Sequence, residues 1–226
     1  MGLDHSPIIV TDGLSVYLDA GNTRSYSGSG NTWYNLITGA IGGTMVGVGY
    51  STLNGGYFNF TGSQYMTFAN TPPIGQSNLS STVEIISYRN TYDFGVMLGG
   101  GPYGTNQGYW FGHRNATDNF MMAYFANDSD TITSTTNLIW NQYVAVYDNS
   151  IGRRATYYNS NLLKNEASGV SNTSNSSYFI GAYREDAGTP AYQYNGRIAS
   201  VKIYNRALTA TEILQNYNAA KKRYGK

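Results

Sequence analysis

The strongest constraint on the fold is a rhythm of short strand-like runs, each closed off by Gly, Asn, Ser or Thr. The clearest are Leu14–Asp19, Tyr57–Phe60, Tyr65–Phe68, Thr82–Tyr88, Phe94–Leu98, Tyr109–Phe111, Phe120–Phe125, Trp140–Tyr147, Ala155–Tyr158, Tyr178–Ala182 and Gly196–Tyr204. Several alternate with period 2, so that successive side chains leave on opposite faces. Tyr143, Ala145 and Tyr147 oppose Val144 and Val146; Ile198, Ser200 and Lys202 oppose Ala199, Val201 and Ile203. Asn54-Gly55-Gly56 and Thr61-Gly62-Ser63 supply the positive φ of tight connections. About a dozen short strands at this spacing predict two packed antiparallel sheets.

One helix is expected, and it is last. Thr209-Ala210-Thr211-Glu212 reads as a capping box, in which the Thr209 hydroxyl accepts from the third helical amide and Glu212 reaches back. Ala210, Ile213, Leu214 and Tyr217 form one apolar face, and Lys221, Lys222 and Arg223 read as a solvated helix end favoured by the macrodipole. The expected organisation is an N-terminal arm over 1–13 and one domain over 14–226, with the helix from about 209. The arm either pairs with a neighbour or frays.

Composition enters through what it excludes. Only 12% of the 226 residues are charged and the net charge is +1, which argues against a nucleic-acid partner needing a basic face. There is no cysteine, hence no disulfide framework. Aromatic residues at 15% argue against disorder. No run approaches the ~20 apolar residues of a membrane span, and the stretch to Val10 lacks the cations and long apolar core of a secretory signal.

The two ends carry a resemblance. Gly13-Leu14-Ser15-Val16-Tyr17-Leu18-Asp19-Ala20-Gly21-Asn22, with Thr32-Trp33-Tyr34-Asn35-Leu36, resembles the opening of concanavalin A-like, laminin G-like jelly-roll domains. Tyr194-Asn195-Gly196-Arg197-Ile198-Ala199-Ser200-Val201-Lys202-Ile203-Tyr204-Asn205-Arg206-Ala207-Leu208-Thr209 resembles their close. The resemblance spans Gly13 to Asn218 and implies an all-β, two-sheet antiparallel jelly-roll sandwich with one short C-terminal helix. A narrower likeness joins the His5-Ser6-Pro7-Ile8-Ile9-Val10 arm to that closing stretch. It is similar to structural proteins of tailed bacteriophage particles. It implies a virion surface protein decorating head, tail or fibre, made in the host cytoplasm, its partners being other virion proteins and copies of itself.

The family pattern also loses carboxylates. Thr61-Gly62-Ser63-Gln64-Tyr65 stands where many relatives carry Asp-Gly-x-x-Asp-Tyr, and Asn35-Leu36-Ile37-Thr38-Gly39-Ala40 where many carry Asp-Leu-Ser-Gly-Asn-Gly. Calcium takes six to eight oxygens, carboxylates among them, so neither a metal nor another cofactor is expected. Asp128 and Asp130 are the remaining metal candidates, and their place between two strands reads as a hairpin turn.

Catalysis is not expected. A retaining glycosidase needs two carboxyl groups ~5–5.5 Å apart. Glu84 fits the start of a Glu-x-Asp-x-x-Glu strand, but Ile86 holds the aspartate position, so Glu84 reads as an outward polar residue on a half-buried strand. His113 reads as a loop or strand-end hydrogen-bonder, with no Gly-x-Ser-x-Gly nucleophile motif beside it. The glycine-rich stretch Gly99–Gly108 lacks the Lys-Ser/Thr of a phosphate loop. Its Tyr103, Asn106 and Gln107 are the candidate contacts for a partner or a sugar. The alternative function is accordingly a lectin-like module that aids adsorption to host glycans, since Tyr, Asn, Ser and Gly make adaptable recognition surfaces.

Overall fold

The computed structural model describes residues 8–69, 72–74, 79–91, 94–102, 104–114, 119–124, 127–131, 135–168, 177–183 and 190–225. Among these, sixteen strands form two eight-stranded sheets, and every pair of neighbouring strands is antiparallel. The first sheet runs in the order β14 (Asn161–Ala167), β13 (Arg153–Tyr158), β12 (Trp140–Asp148), β7 (Ser81–Arg89), β16 (Asn195–Tyr204), β5 (Tyr57–Thr61), β4 (Gly49–Ser51). β1 (Leu14–Asp19) completes it: β16 is long enough to pair with β5 through Asn195–Ile198 and with β1 through Ser200–Tyr204. The second sheet runs β11 (Asn127–Thr131), β10 (Asn119–Tyr124), β9 (Tyr109–Arg114), β8 (Gly95–Gly100), β15 (Tyr178–Ile180), β6 (Tyr65–Phe68), β3 (Ile41–Val46), β2 (Thr32–Tyr34). This is the two-sheet sandwich that the strand rhythm predicts.

Period-2 alternation builds the core between the sheets. Phe58, Phe60, Ile85, Tyr143, Ala145 and Tyr147 meet Met66, Leu98, Tyr109, Phe111, Phe120 and Tyr124 from the opposite sheet. Each large apolar side chain so buried contributes roughly 1.5–3 kcal/mol. Val144 and Val146 leave on the other face, as their alternation predicts, and pack under the helix.

β16 departs from simple alternation. A β-bulge between Ile198 and Ser200 inserts an extra residue against β7. Ile198 therefore joins Val201 and Ile203 in the inter-sheet core, while Ala199 turns to the outer face.

The helix α1 (Ala210–Lys221) lies on that outer face of the first sheet, started by the predicted capping box. Its buried residues are Ile213 and Asn216, while Leu214 is 45% exposed, so the inward face is rotated from the one periodicity suggested. A polar cluster beneath explains the rotation. Glu84 is fully buried and pairs with Lys202 at 2.7 Å. Asn216 donates to the second oxygen of Glu84 at 2.8 Å and accepts from the Val10 amide at 2.8 Å. The Tyr204 hydroxyl donates to the Val10 carbonyl at 3.0 Å. Glu84 thus does face away from the inter-sheet core, but helix and N-terminal segment seal it from water.

The basic helix end is also more than solvated. The Arg223 guanidinium holds both oxygens of Asp19, at 2.8 and 2.9 Å, and donates to the Gly55 carbonyl. It staples the C-terminal turn to the end of β1.

Candidate functional site

The outer face of the second sheet concentrates aromatic side chains, some half-buried and some buried. In β9, Tyr109, Phe111 and His113 point into the core, so Trp110 and Arg114 leave on the other side. Half-buried Trp110 touches Phe94, Tyr183 and Tyr192, with ring centroids at 4.8, 5.2 and 5.1 Å, and Phe94 touches Tyr192 at 4.9 Å. Half-buried Tyr65 of β6 touches Phe179 of β15 at 5.7 Å, and Phe179 is itself buried.

The backbone holds this cluster in place. Tyr183 and Ala191 exchange two hydrogen bonds, at 2.9 and 2.6 Å, and the Val96 amide donates to the Tyr192 carbonyl at 3.0 Å. Tyr192 takes φ +52°, a left-handed conformation uncommon for an aromatic residue, and is 39% exposed. Gly99 leaves the room beneath: a Cβ there would lie 2.8 Å from the Tyr183 ring and 2.9 Å from Val96.

A polar rim borders the aromatics. Arg114 of β9 pairs with Asp128 of β11 at 2.8 Å, each side chain about a third exposed. Asp128 lies in the edge strand and not in the expected hairpin turn. Its position is set by Arg154 of the first sheet, which donates to the Asn127 and Asp128 carbonyls at 2.6 and 2.9 Å and holds Glu166 at 2.7 Å. Burial pushes the Glu166 carboxyl up, but hydrogen bonds from Lys164, Ser129 and Arg154 outweigh it and hold it down at about 2.

Of the other residues singled out in the sequence, Asn106 takes φ +65° in a turn and accepts from Asn127 at 3.0 Å, beside β11. The Gln107 amide closes that turn onto the Gly104 carbonyl at 2.8 Å. Gly99 and Gly100 lie within β8, so the connecting loop begins at Gly101. Tyr103, the stretch before Ile8 and the Asp130 side chain lie outside the described residues. His113 is fully buried in β9, in ring contact with Tyr143 and Phe120. Burial, with help from the Arg89 charge, pushes its pKa well below the usual histidine range. Among the described residues no three His, Cys, Asp or Glu converge as a metal site. Sequence reading missed Phe94, Trp110, Tyr183 and Tyr192 as a group; the alternation of Trp110 against Tyr109 and Phe111 was the available signal.

The architecture is that of a two-sheet antiparallel jelly roll. A family model described as the concanavalin A-like lectin/glucanases superfamily matches residues 60–214, and the chain belongs to that superfamily. No curated protein matches the sequence. Among solved structures, it is similar to domain 4 of AbnA, an extracellular arabinanase from Geobacillus stearothermophilus, in complex with arabinotriose. That match has a TM-score of 0.67 at 15% identity and covers 90% of this chain and 98% of that one. Trypanosoma rangeli sialidase in complex with sialic acid has a TM-score of 0.67 at 17% identity, over 96% of this chain and 35% of the sialidase. A structure of botulinum neurotoxin type C, a toxin whose way into cells depends on interaction with two ganglioside molecules, has a TM-score of 0.65 at 12% identity, over 92% and 51%. The chain thus spans about a third of the sialidase and half of the toxin chain.

Proposed function

We propose that the protein is a non-enzymatic carbohydrate-binding module that holds glycans on the outer face of the second sheet. The observation that carries this reading is the cluster of exposed Tyr192 with half-buried Trp110 and Phe94, backed by buried Tyr183 and bordered by the Arg114–Asp128 pair. Apolar aromatic area with a few placed polar groups is the make-up of sites that bind small polar ligands. Superfamily membership supports the reading, as do structural neighbours in complex with arabinotriose and sialic acid. Glu84 supports binding without hydrolysis, because Lys202 and Asn216 occupy both its oxygens under α1.

The test is a glycan array followed by titration of the strongest hits. Trp110→Ala is expected to lower affinity about tenfold or more, the ~1.4 kcal/mol of a lost stacking contact. Undiminished binding by a folded variant would place the site elsewhere.

The virion-surface reading, with other virion proteins and further copies of the chain as partners, rests on the two terminal motifs. It is compatible with glycan binding, since a surface protein can also serve adsorption. Sizing the purified protein and probing washed particles for it checks this reading; a lone monomer missing from particles ends it.

A further inference from the structure

The opposite broad face, on the outer side of the first sheet beyond the end of α1, carries a line of side chains that the reading above does not use. Cross-strand register sets Trp140 of β12 against Tyr88 of β7, Tyr88 against Arg197 of β16, and Arg197 against Asn59 of β5. Directly opposed residues of antiparallel strands share a face. The four side chains therefore form one row across four strands, about 14 Å long at strand spacing.

Arg197 is the centre of this row. Its guanidinium lies over the Tyr88 ring at 4.4 Å and over the Tyr57 ring at 5.1 Å. Stacking of this kind fixes the guanidinium plane while leaving its N–H edge available. Arg114, Arg154, Arg206 and Arg223 each hold a carboxylate of this chain. Among the described residues Arg197 has neither an ion pair nor a hydrogen bond, and the side chains of Asn59, Tyr57 and Tyr88 likewise make no hydrogen bond. The indole N–H of Trp140, at the end of the row beside the Tyr224 ring at 5.1 Å, is buried with no hydrogen-bond partner among the described residues.

We propose that this row is a second ligand site, one that takes an acidic sugar residue with its carboxylate on Arg197 and its hydroxyls on Asn59 and Tyr88. A planar fork matches a carboxylate through two parallel hydrogen bonds. A phosphate-rich polymer would call for several unpaired cations together, and this row has one. The assignment to a sugar rests on the carbohydrate-binding reading; the anion site on Arg197 does not.

The intact protein is titrated with trigalacturonate, its methyl ester and a short poly-glutamate. Trigalacturonate is expected to bind, and Arg197→Gln to weaken it about tenfold or more, the worth of one charge-assisted bidentate contact. Arg197→Lys keeps the charge, loses the fork and falls between. Asn59→Ala leaves the stacked rings untouched and should weaken trigalacturonate in a protein of unchanged stability. The Arg197 and Asn59 variants are also compared in a Trp110→Ala background, so that binding at the second-sheet site is read separately from binding here. Three results overturn the proposal: no binding of trigalacturonate, equal affinity for its methyl ester, or equal affinity in a folded Arg197→Gln protein. Poly-glutamate binding as tightly as trigalacturonate overturns the sugar assignment in favour of an acidic protein partner.

Discussion

Glu84 shows at single-residue scale how burial decides chemistry. Two charges removed from water are tolerated only when paired and hydrogen-bonded throughout. Here Lys202 takes one oxygen of Glu84 and Asn216 the other, with side-chain exposure of 3% for Lys202 and none for Glu84. Truncating one partner, as in Lys202→Met, should therefore cost about 3–5 kcal/mol in guanidinium unfolding. Replacing both, as in Glu84→Leu with Lys202→Met, should restore much of that loss. A double change that costs the sum of Glu84→Leu and Lys202→Met measured singly would mean that the pair is not coupled. The placement of Glu84 away from the inter-sheet core was legible in strand alternation. Its seal was not, because Asn216 reads as a polar surface residue until its bonds to Glu84 and Val10 are seen. Trp110 was equally ambiguous: an aromatic alternating with two others fits a core or a face, and only the positions of Tyr183 and Tyr192 decide between them.

At the scale of elements, signals that act locally were readable and signals that depend on neighbours were not. The helix start is local. The Thr209 hydroxyl accepts from the Glu212 amide at 3.3 Å, and Glu212 accepts from the Thr209 amide at 2.9 Å. Thr209→Ala should cost about 1 kcal/mol, seen as a lower urea midpoint at unchanged slope; an unmoved midpoint would show that Arg206, which also grips Glu212 at 2.6 Å, suffices to start the helix. The strands missed in the sequence, β2, β3, β4, β11 and β14, share a different property. Ile41-Gly42-Gly43-Thr44-Met45-Val46 has glycines where a strand would show side chains, and Asn127–Thr131 and Asn161–Ala167 are polar edge strands. Such segments pair because a neighbour presents an open edge, not because of their own propensity. The bulge in β16 belongs with them. Ile198-Ala199-Ser200 alternates plausibly either way, and the choice is made by which side chain the core accepts.

At the scale of the whole molecule, the two sheets are coupled through groups whose charge state burial and pairing have fixed, and pH tests that coupling. His113 sits in the inter-sheet core, its pKa held well below its ordinary value of 6.5 by burial first and the Arg89 charge second. A base whose pKa is depressed by folding takes up protons more readily in the unfolded chain, so stability rises with pH. His113 thus supports the fold fully above pH 6.5 and withdraws that support as pH falls below it. Glu212 and Glu166 act lower. The Arg206 fork holds Glu212 down at about 2, and Lys164, Ser129 and Arg154 overcome the burial of Glu166 to leave it at about 2, both from an ordinary 4.5. Their contribution is complete above pH 4.5 and is lost as pH falls towards 2. Acid should therefore weaken the sandwich in two stages, one beginning near pH 6.5 and one near pH 4.5. In His113→Phe the first stage should flatten while the second persists, because the carboxylates lie at the helix start and on the sheet edge, away from the core. The readout is the slope of unfolding free energy against pH and not its absolute value, so any packing cost of the larger ring does not confuse it. A variant that keeps the wild-type slope between pH 6.5 and 5 would show that His113 is not the group whose protonation loosens the core.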